Sequence, residues 1–328
     1  MMRKLEVRFA TTALIVSGAL LLLPGVAPAA QFFGVNLSLE GLQPNQPSCE
    51  LLGPCTIVGF TERPAEGQLA TAGAPIDGVI TRFAIKPKVE DAPVQVTFRV
   101  ANLTPVNDGE GGKSAKATAT GTGPTVTLPV TPEETEPVLE FPARLAVKKG
   151  QRLGLDWPGQ GAGLGKLTVT SDSNGDRNGY EFAPPLANGS GERASNEFLG
   201  FLLVQATVEP DADHDGFGDE TQDRCPAQKA SQGACDRTKP AITGLKVKRG
   251  KISYRLSEPA RVRIAITKRS GRHFKGVRKF AGPGKKGANR VRLPRAGSLV
   301  SGAYRITVTA TDPAGNRSVR KAGFRITG

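Results

Sequence analysis

Histidine, tryptophan and methionine are scarce in this chain: of 328 residues, two are histidine (His214 and His273), one is tryptophan and two are methionine. Two imidazoles leave little room for histidine-based acid–base chemistry, and neither stands in an H-E-x-x-H pattern. The G-x-S-x-G nucleophile elbow is missing as well. So is the phosphate-cradling GxxxxGK[ST]: the stretch Gly282-Pro283-Gly284-Lys285-Lys286-Gly287 lacks that spacing and reads as a hairpin turn. No local pattern marks a pair of carboxylates for glycoside hydrolysis. The expectation is a protein that is not an enzyme.

Cysteine is sparse too. The four form two local pairs, Cys49 with Cys55 and Cys225 with Cys235. These spacings do not match C-x₂-C ligation of zinc, and the histidines that often complete such a site are lacking. Close, even-numbered pairs in an exported chain favour disulfides, which would leave no free thiol. Long apolar runs are absent except for Ala13 to Leu23, whose eleven residues fall short of the roughly 20 that span a bilayer. Arg3, Lys4 and Arg8 precede that run and Ala27-Pro28-Ala29 follows it. This is the order of a signal peptide, here residues 1–29, with cleavage expected before Ala30. No lipid-accepting cysteine follows that point, and no LPxTG-like sorting tail precedes Gly328. The mature chain is therefore expected to be extracellular: secreted without a transmembrane segment, and held at a wall, if at all, by non-covalent contacts.

The most uneven absence is that of acids near the C-terminus. Residues 237–328 carry 25 lysines and arginines but only two acids, Glu258 and Asp312. Residues 30–208 carry 14 basic and 19 acidic residues, and residues 209–236 carry 2 basic and 8 acidic. Charge asymmetry of this size marks domain boundaries and suggests different partners. The division is a first domain over 30–208, an acidic linker over 209–236 and a basic domain over 237–328.

No helical period stands out; what is present is alternation. In the first domain it runs through Val35 to Leu39, Val94 to Val100 and Leu167 to Thr170. Strand-like runs also cover Gly78 to Ile85 and Thr125 to Leu128, and Phe198 to Val208 reads as one central strand. Phe141 to Leu155 reads as two strands around a Lys-Gly turn. Many short strands between Gly, Pro, Asn and Asp turns predict an all-β fold, here a jelly-roll-like sandwich of about eight strands. The Gly-rich connections Asn107 to Lys113 and Ser171 to Gly179 are candidate loops for a glycan, or simply surface turns. In the basic domain, Ile252 to Leu256, Val262 to Ile266, Val291 to Leu293 and Tyr304 to Ala310 alternate strictly, with apolar residues on one face and bases on the other. A final strand is expected over Lys321 to Ile326.

The linker holds the densest chemistry. Asp211, Asp213 and Asp215 stand at every second position, followed by Gly216 and Asp219. Four carboxylates in nine residues repel one another unless a cation lies between them. Acids at loop positions one, three, five and nine, with glycine at six for the sharp turn, are a wrapping set for Ca²⁺, which takes six to eight oxygens. A solvated acidic hinge stapled by its cysteines is the alternative. His214 is expected to point to solvent, since a hard oxygen site has no use for imidazole.

Through Cys225-Pro226 the segment reads D-x-D-x-D-G-x-x-D-x-x-x-D-x-C-P. It resembles the calcium-binding thrombospondin type-3 repeat. That resemblance implies side-chain ligation by Asp211, Asp213 and Asp215, a backbone carbonyl from Phe217, and Asp219 bound directly or through water. One position departs from the family: Gln222 stands where the next acid is expected, and Asp223 follows it. The sphere would then close through Asp223, Glu220, Gln222 or water. The last domain, with Leu299 to Tyr304 followed by Asp312-Pro313-Ala314-Gly315-Asn316, resembles bacterial immunoglobulin-like and fibronectin type-III domains. The resemblance implies that the Tyr304 hydroxyl ties back to upstream backbone. The order of sandwich, acidic loop and basic immunoglobulin-like domain is similar to exported proteins of high-GC Gram-positive bacteria.

Outside a cell, a domain this basic should attract an anionic wall polymer or acidic polysaccharide. Sequence-specific nucleic-acid binding is not expected: no recognised motif is present, and the last domain's few aromatics fit its core pattern. Two functions fit these features. One is a calcium-binding adhesion or surface-binding protein; the other is a carbohydrate-active enzyme or lectin-like module using loops of the first domain.

Overall fold

The computed structural model describes residues 29–38, 49, 53–60, 70–71, 73–90, 92–107, 113–131, 137–159, 169–170, 177–294 and 299–327. Residues 1–28 of the signal-like segment lie outside them, as do most residues of the two Gly-rich connections (108–112 and 171–176). The fold is all-β, and no helix among the described residues is long and apolar enough to cross a membrane.

In chain order, the first part of the protein forms β1 (Gln31–Val35), β2 (Cys55–Gly59), β3 (Ala70–Thr71), β4 (Gly78–Ile85) and β5 (Val94–Asn107). Then come β6 (Lys113–Leu128), β7 (Leu139–Val147), β8 (Arg152–Trp157), β9 (Val169–Thr170) and β10 (Arg177–Phe182). β11 (Gly191–Arg193), β12 (Asn196–Leu199), β13 (Phe201–Leu202) and β14 (Val204–Glu209) complete it. One sheet has the order β3-β1-β14-β4-β7 and the other β11-β6-β5-β8-β2-β10-β12. The strands β1-β14-β4-β7 in one and β6-β5-β8-β2 in the other are the eight strands of a jelly roll, with first and last strands side by side.

Alternation explains why the two sheets meet. Phe33, Ile80, Phe83, Val204, Ala206 and Val208 from one, and Ile57, Val96, Phe98, Leu128, Leu155 and Trp157 from the other, share one buried core. At its centre the rings of Phe83 and Phe98 stack 4.5 Å apart. A smaller cluster, including Val58, Phe60, Ala117, Tyr180 and Phe182, is built around the seven-stranded sheet. Beside it Arg99 is buried, donating to Thr122, to the Leu186 carbonyl and to Asn188.

Two expected strands are placed differently, and a third is described only in part. The alternation at Val35 to Leu39 does not continue β1, because the Asn36 side chain accepts bonds from the backbone and hydroxyl of Ser38 and turns the chain there. Phe198 to Val208 breaks at Gly200 and Leu203 into separate strands, and only β14 is central, between β1 and β4. At Leu167 to Thr170 only Val169 and Thr170 lie among the described residues, paired with β13. The Lys149-Gly150 turn is present, but its flanking strands β7 and β8 belong to opposite sheets.

The last part forms β15 (Ile242–Lys248), β16 (Lys251–Leu256), β17 (Arg261–Ser270) and β18 (His273–Gly282). β19 (Gly287–Arg292), β20 (Gly302–Thr311) and β21 (Arg317–Ile326) follow. They make a sandwich of β15-β16-β19 against β18-β17-β20-β21. Ile252, Tyr254 and Leu256 of one sheet pack with Val262, Ile264, Ile306 and Val308 of the other. The Tyr304 hydroxyl donates to the Val300 carbonyl at 2.7 Å, as expected. The final strand starts at Arg317, four residues earlier than expected, because the Asp312–Asn316 turn feeds it directly. Gly282 to Gly287 is not a hairpin turn. It carries the chain from β18 in one sheet to β19 in the other, held by Tyr254 donating to the Pro283 carbonyl and by the buried Asn289 amide donating to Lys285 and Gly287.

Candidate metal site

Between Glu209 and Ile242 the chain has no strand, and its shape is set by backbone turns and by side chains bonding backbone. Asp211 accepts the amides of Asp215 and Gly216, each at 3.0 Å, and Asp215 accepts the amide of Phe217 at 2.9 Å. Asp219 accepts the amide of Ala212 with both oxygens. The loop thereby coils around its own carboxylates. His214 has φ 59° and is exposed to solvent, as expected. Gly216 has φ 87°, which explains glycine at the sixth position. Gly218 is required for a different reason: a Cβ there would lie 2.5 Å from the Glu209 carboxylate.

Carboxylate oxygens of Asp211, Asp213 and Asp215 all lie within 4.8 Å of one another. Both oxygens of Asp213 and Oδ2 of Asp223 are buried without a hydrogen-bond partner. Orphaned oxygens of this kind are costly unless something positive meets them. Burial, then repulsion from Asp215, Asp223 and Asp211, pushes the Asp213 carboxyl above the ordinary aspartate range. Burial also raises Asp219, with Asp211, Asp223 and Asp213 adding to it against the Ala212 amide bond. The donor set is hard, anionic and short of partners, so these residues fit a divalent cation with oxygen preference.

The three candidates for the closing position are used differently. Gln222 is occupied: its amide donates to the Ala143 carbonyl at 2.7 Å and its oxygen accepts the Gly218 amide. Glu220 is exposed and accepts the amide of Ala30. Asp223 is buried; Oδ1 accepts the Cys225 amide at 2.7 Å, and Oδ2 is the orphan. Asp223 therefore keeps an unpartnered oxygen and lies near enough to Asp213 and Asp219 to repel both, whereas Glu220 and Gln222 serve other contacts. The Phe217 ring lies under the Arg144 guanidinium, 4.4 Å from centroid to Cζ.

Glu209 was not among the expected site residues, yet it anchors the loop. It ends β14 and is 1% exposed. Oε1 accepts the hydroxyls of Thr81 and Thr221, and Oε2 accepts the amides of Glu220 and Thr221. Burial alone would raise this carboxyl, but the four bonds together outweigh it and hold it below the ordinary glutamate range. An acid closing an apolar strand immediately before the loop is the signal that could have marked it. Both disulfides are formed, Cys49–Cys55 and Cys225–Cys235, and no described cysteine is free. Cys225–Cys235 closes the second half of the linker, where Gln232 reaches back to Asp215 at 2.7 Å.

The bases of the last sandwich lie outside. Lys246, Lys248, Lys251, Arg255, Arg290 and Arg292 are exposed on the three-stranded sheet. Lys248, Lys251 and Arg292 stand opposite one another across β15, β16 and β19. Like charges in such register cost stability in the absence of an anion.

No protein-family model matches the chain, and no curated protein matches it. A GH2 β-galacturonidase from Eisenbergiella tayi, solved with galacturonate bound, aligns at 10% identity over 84% of this chain, with a TM-score of 0.13. The chain spans 43% of the length of that enzyme. At that score the likeness carries no argument about fold or activity.

Proposed function

We propose that this is a non-catalytic, exported surface-binding protein in which Ca²⁺ orders the linker between a jelly-roll sandwich and a basic sandwich. The observation that carries the reading is the pair of buried, partnerless oxygens on Asp213 inside the triad with Asp211 and Asp215. Asp211, Asp213, Asp215 and Asp223 would hold the ion, with Asp219 close by, as in the thrombospondin type-3 repeat that the linker resembles. The cation would supply charge neutralisation and rigidity, with no reaction attached. Two disulfides support an oxidising, extracellular setting. Extracellular Ca²⁺ modules bind with dissociation constants of about 10⁻⁴ to 10⁻³ M. At tenfold excess over such a constant, binding adds about 1.4 kcal/mol, enough to order a linker but not to fold a domain.

The last sandwich, with its resemblance to immunoglobulin-like domains, would dock by charge on an anionic wall polymer or acidic polysaccharide. The solvent-facing row Lys248, Lys251 and Arg292 supports this, because a polyanion would relieve its mutual repulsion. The test is calorimetry of the full chain with Ca²⁺, before and after Asp213→Ala. Heat is expected with the unaltered protein and a clear loss with the variant; no heat at millimolar Ca²⁺ ends the metal reading. Co-sedimentation with a glycerol-phosphate polymer at rising salt tests the docking. Binding that ignores salt removes the electrostatic role.

A further inference from the structure

The last sandwich and its incoming strand-free segment contain three acids that converge from distant places in the chain. Asp236 ends the linker just after Cys235, Glu258 lies in the turn between β16 and β17, and Asp312 follows β20. One carboxylate oxygen from each lies within 4.8 Å of the others. Glu258 and Asp312 are the only acids in residues 237–328, against 25 bases. Chance placement would scatter two acids among those bases and pair them. Instead they face each other and Asp236, and none of the three forms an ion pair among the described residues.

Asp312 supplies the independent observation. It is 5% exposed, its Oδ1 accepts the Asn316 amide at 2.7 Å, and its Oδ2 is buried with no hydrogen-bond partner. A buried anion beside two further carboxylates is costly without a counter-charge, and among the described residues no base forms an ion pair with it. The backbone is organised to hold the cluster. The Asp236 carbonyl accepts both the Asn316 side chain and the Gln228 side chain, each at 2.8 Å, so it binds sandwich and linker at one atom. The Asp236 side chain also accepts the Thr238 amide at 2.9 Å.

The geometry points to a second divalent-cation site, formed by Asp236, Glu258 and Asp312, that clamps the C-terminal end of the linker onto the last sandwich. All three donors are hard oxygens, which select Ca²⁺ over softer metals, with water completing the shell. This site shares no residue with the Asp211–Asp223 loop and does not depend on that loop binding metal.

Equilibrium dialysis of the full chain against Ca²⁺, read as ions bound per chain, tests it. Two ions are expected for the unaltered protein, one for Asp312→Asn, one for Glu258→Gln and one for Asp213→Asn. Glu258 sits in a turn and is partly exposed, so Glu258→Gln keeps the test valid if Asp312→Asn does not fold. If Glu258→Gln and Asp312→Asn still bind as many ions as the unaltered protein, the second site does not exist. One ion that survives Asp213→Asn but is lost in Glu258→Gln would support this site and remove the first. No ion in the unaltered protein would remove both.

Discussion

In the first sandwich, charged side chains go inside. Arg99, Glu181 and Glu209 are each more than nine-tenths buried, and each is bonded: Arg99 to Leu186 and Asn188, Glu181 to Cys49 and Asn196, Glu209 to Thr81, Glu220 and Thr221. In the last sandwich the interior is apolar apart from Tyr254, Tyr304 and Asn289, and Asp312 is its only buried charged residue among those described. The bases are turned outward. One sandwich therefore uses polar burial to bind its own chain, including the disulfide segment at Cys49 and the acidic loop. The other keeps its charge available to the surroundings. The difference follows from where the alternation places each polar residue, since a strand sends successive side chains to opposite faces.

The contrast breaks most visibly at Glu209. Glu209→Gln keeps the shape but sets an amide against hydroxyl and backbone donors, leaving buried groups unsatisfied. A loss of about 3 kcal/mol is expected from urea unfolding at neutral pH. Its folded pKa lies below the ordinary 4.5. The carboxylate's stabilisation is therefore complete above that range and fades as pH falls through the lower folded value. The gap between parent and variant should close on acidification. An unchanged unfolding midpoint at pH 7 would mean that Glu209 does not hold the linker.

A smaller effect is expected where the last sandwich makes one of its few interior polar bonds. Tyr304→Phe removes the bond to the Val300 carbonyl, and unfolding should show a loss of about 1 kcal/mol. No loss would mean that this interior bond adds nothing to stability and would sharpen the contrast. The smallest effect concerns its surface. Lys251→Glu, between Lys248 and Arg292, should raise stability by about 0.5 kcal/mol while weakening capture by a glycerol-phosphate polymer. A variant that gains nothing in low salt would show that the row is not under repulsion.

Much of the architecture was legible because period-two patterns and turn residues act locally. The alternation at Ile252, Tyr254 and Leu256, the tyrosine at 304 and the Asp-x-Asp-x-Asp-Gly register each carry their own geometry. What alternation did not predict was decided partly by a local side chain, as at Asn36 and Ser38, and partly by partners far along the chain. Val35 to Leu39 alternates but turns at Asn36. Gly282 to Gly287 has hairpin composition, yet Tyr254 and Asn289 hold it as a passage between sheets. The closing position of the metal loop stayed open among Glu220, Gln222 and Asp223. Ala143 and Ala30 engage the first two, and neither is a neighbour in sequence.

By itself, the sequence determined the all-β class, the two disulfide pairs, the segregation of charge and the coil of acids around residue 213. All of these depend on residue type and short spacing. Tertiary structure alone decided that Glu209 anchors the loop, that Asp223 is buried with one unpartnered oxygen, and that Asp236, Glu258 and Asp312 meet. Carboxylates that are separated by dozens of residues can become neighbours only when sheets pack. Whether a buried oxygen then finds a donor depends on the surrounding shape, which short-range pattern does not encode.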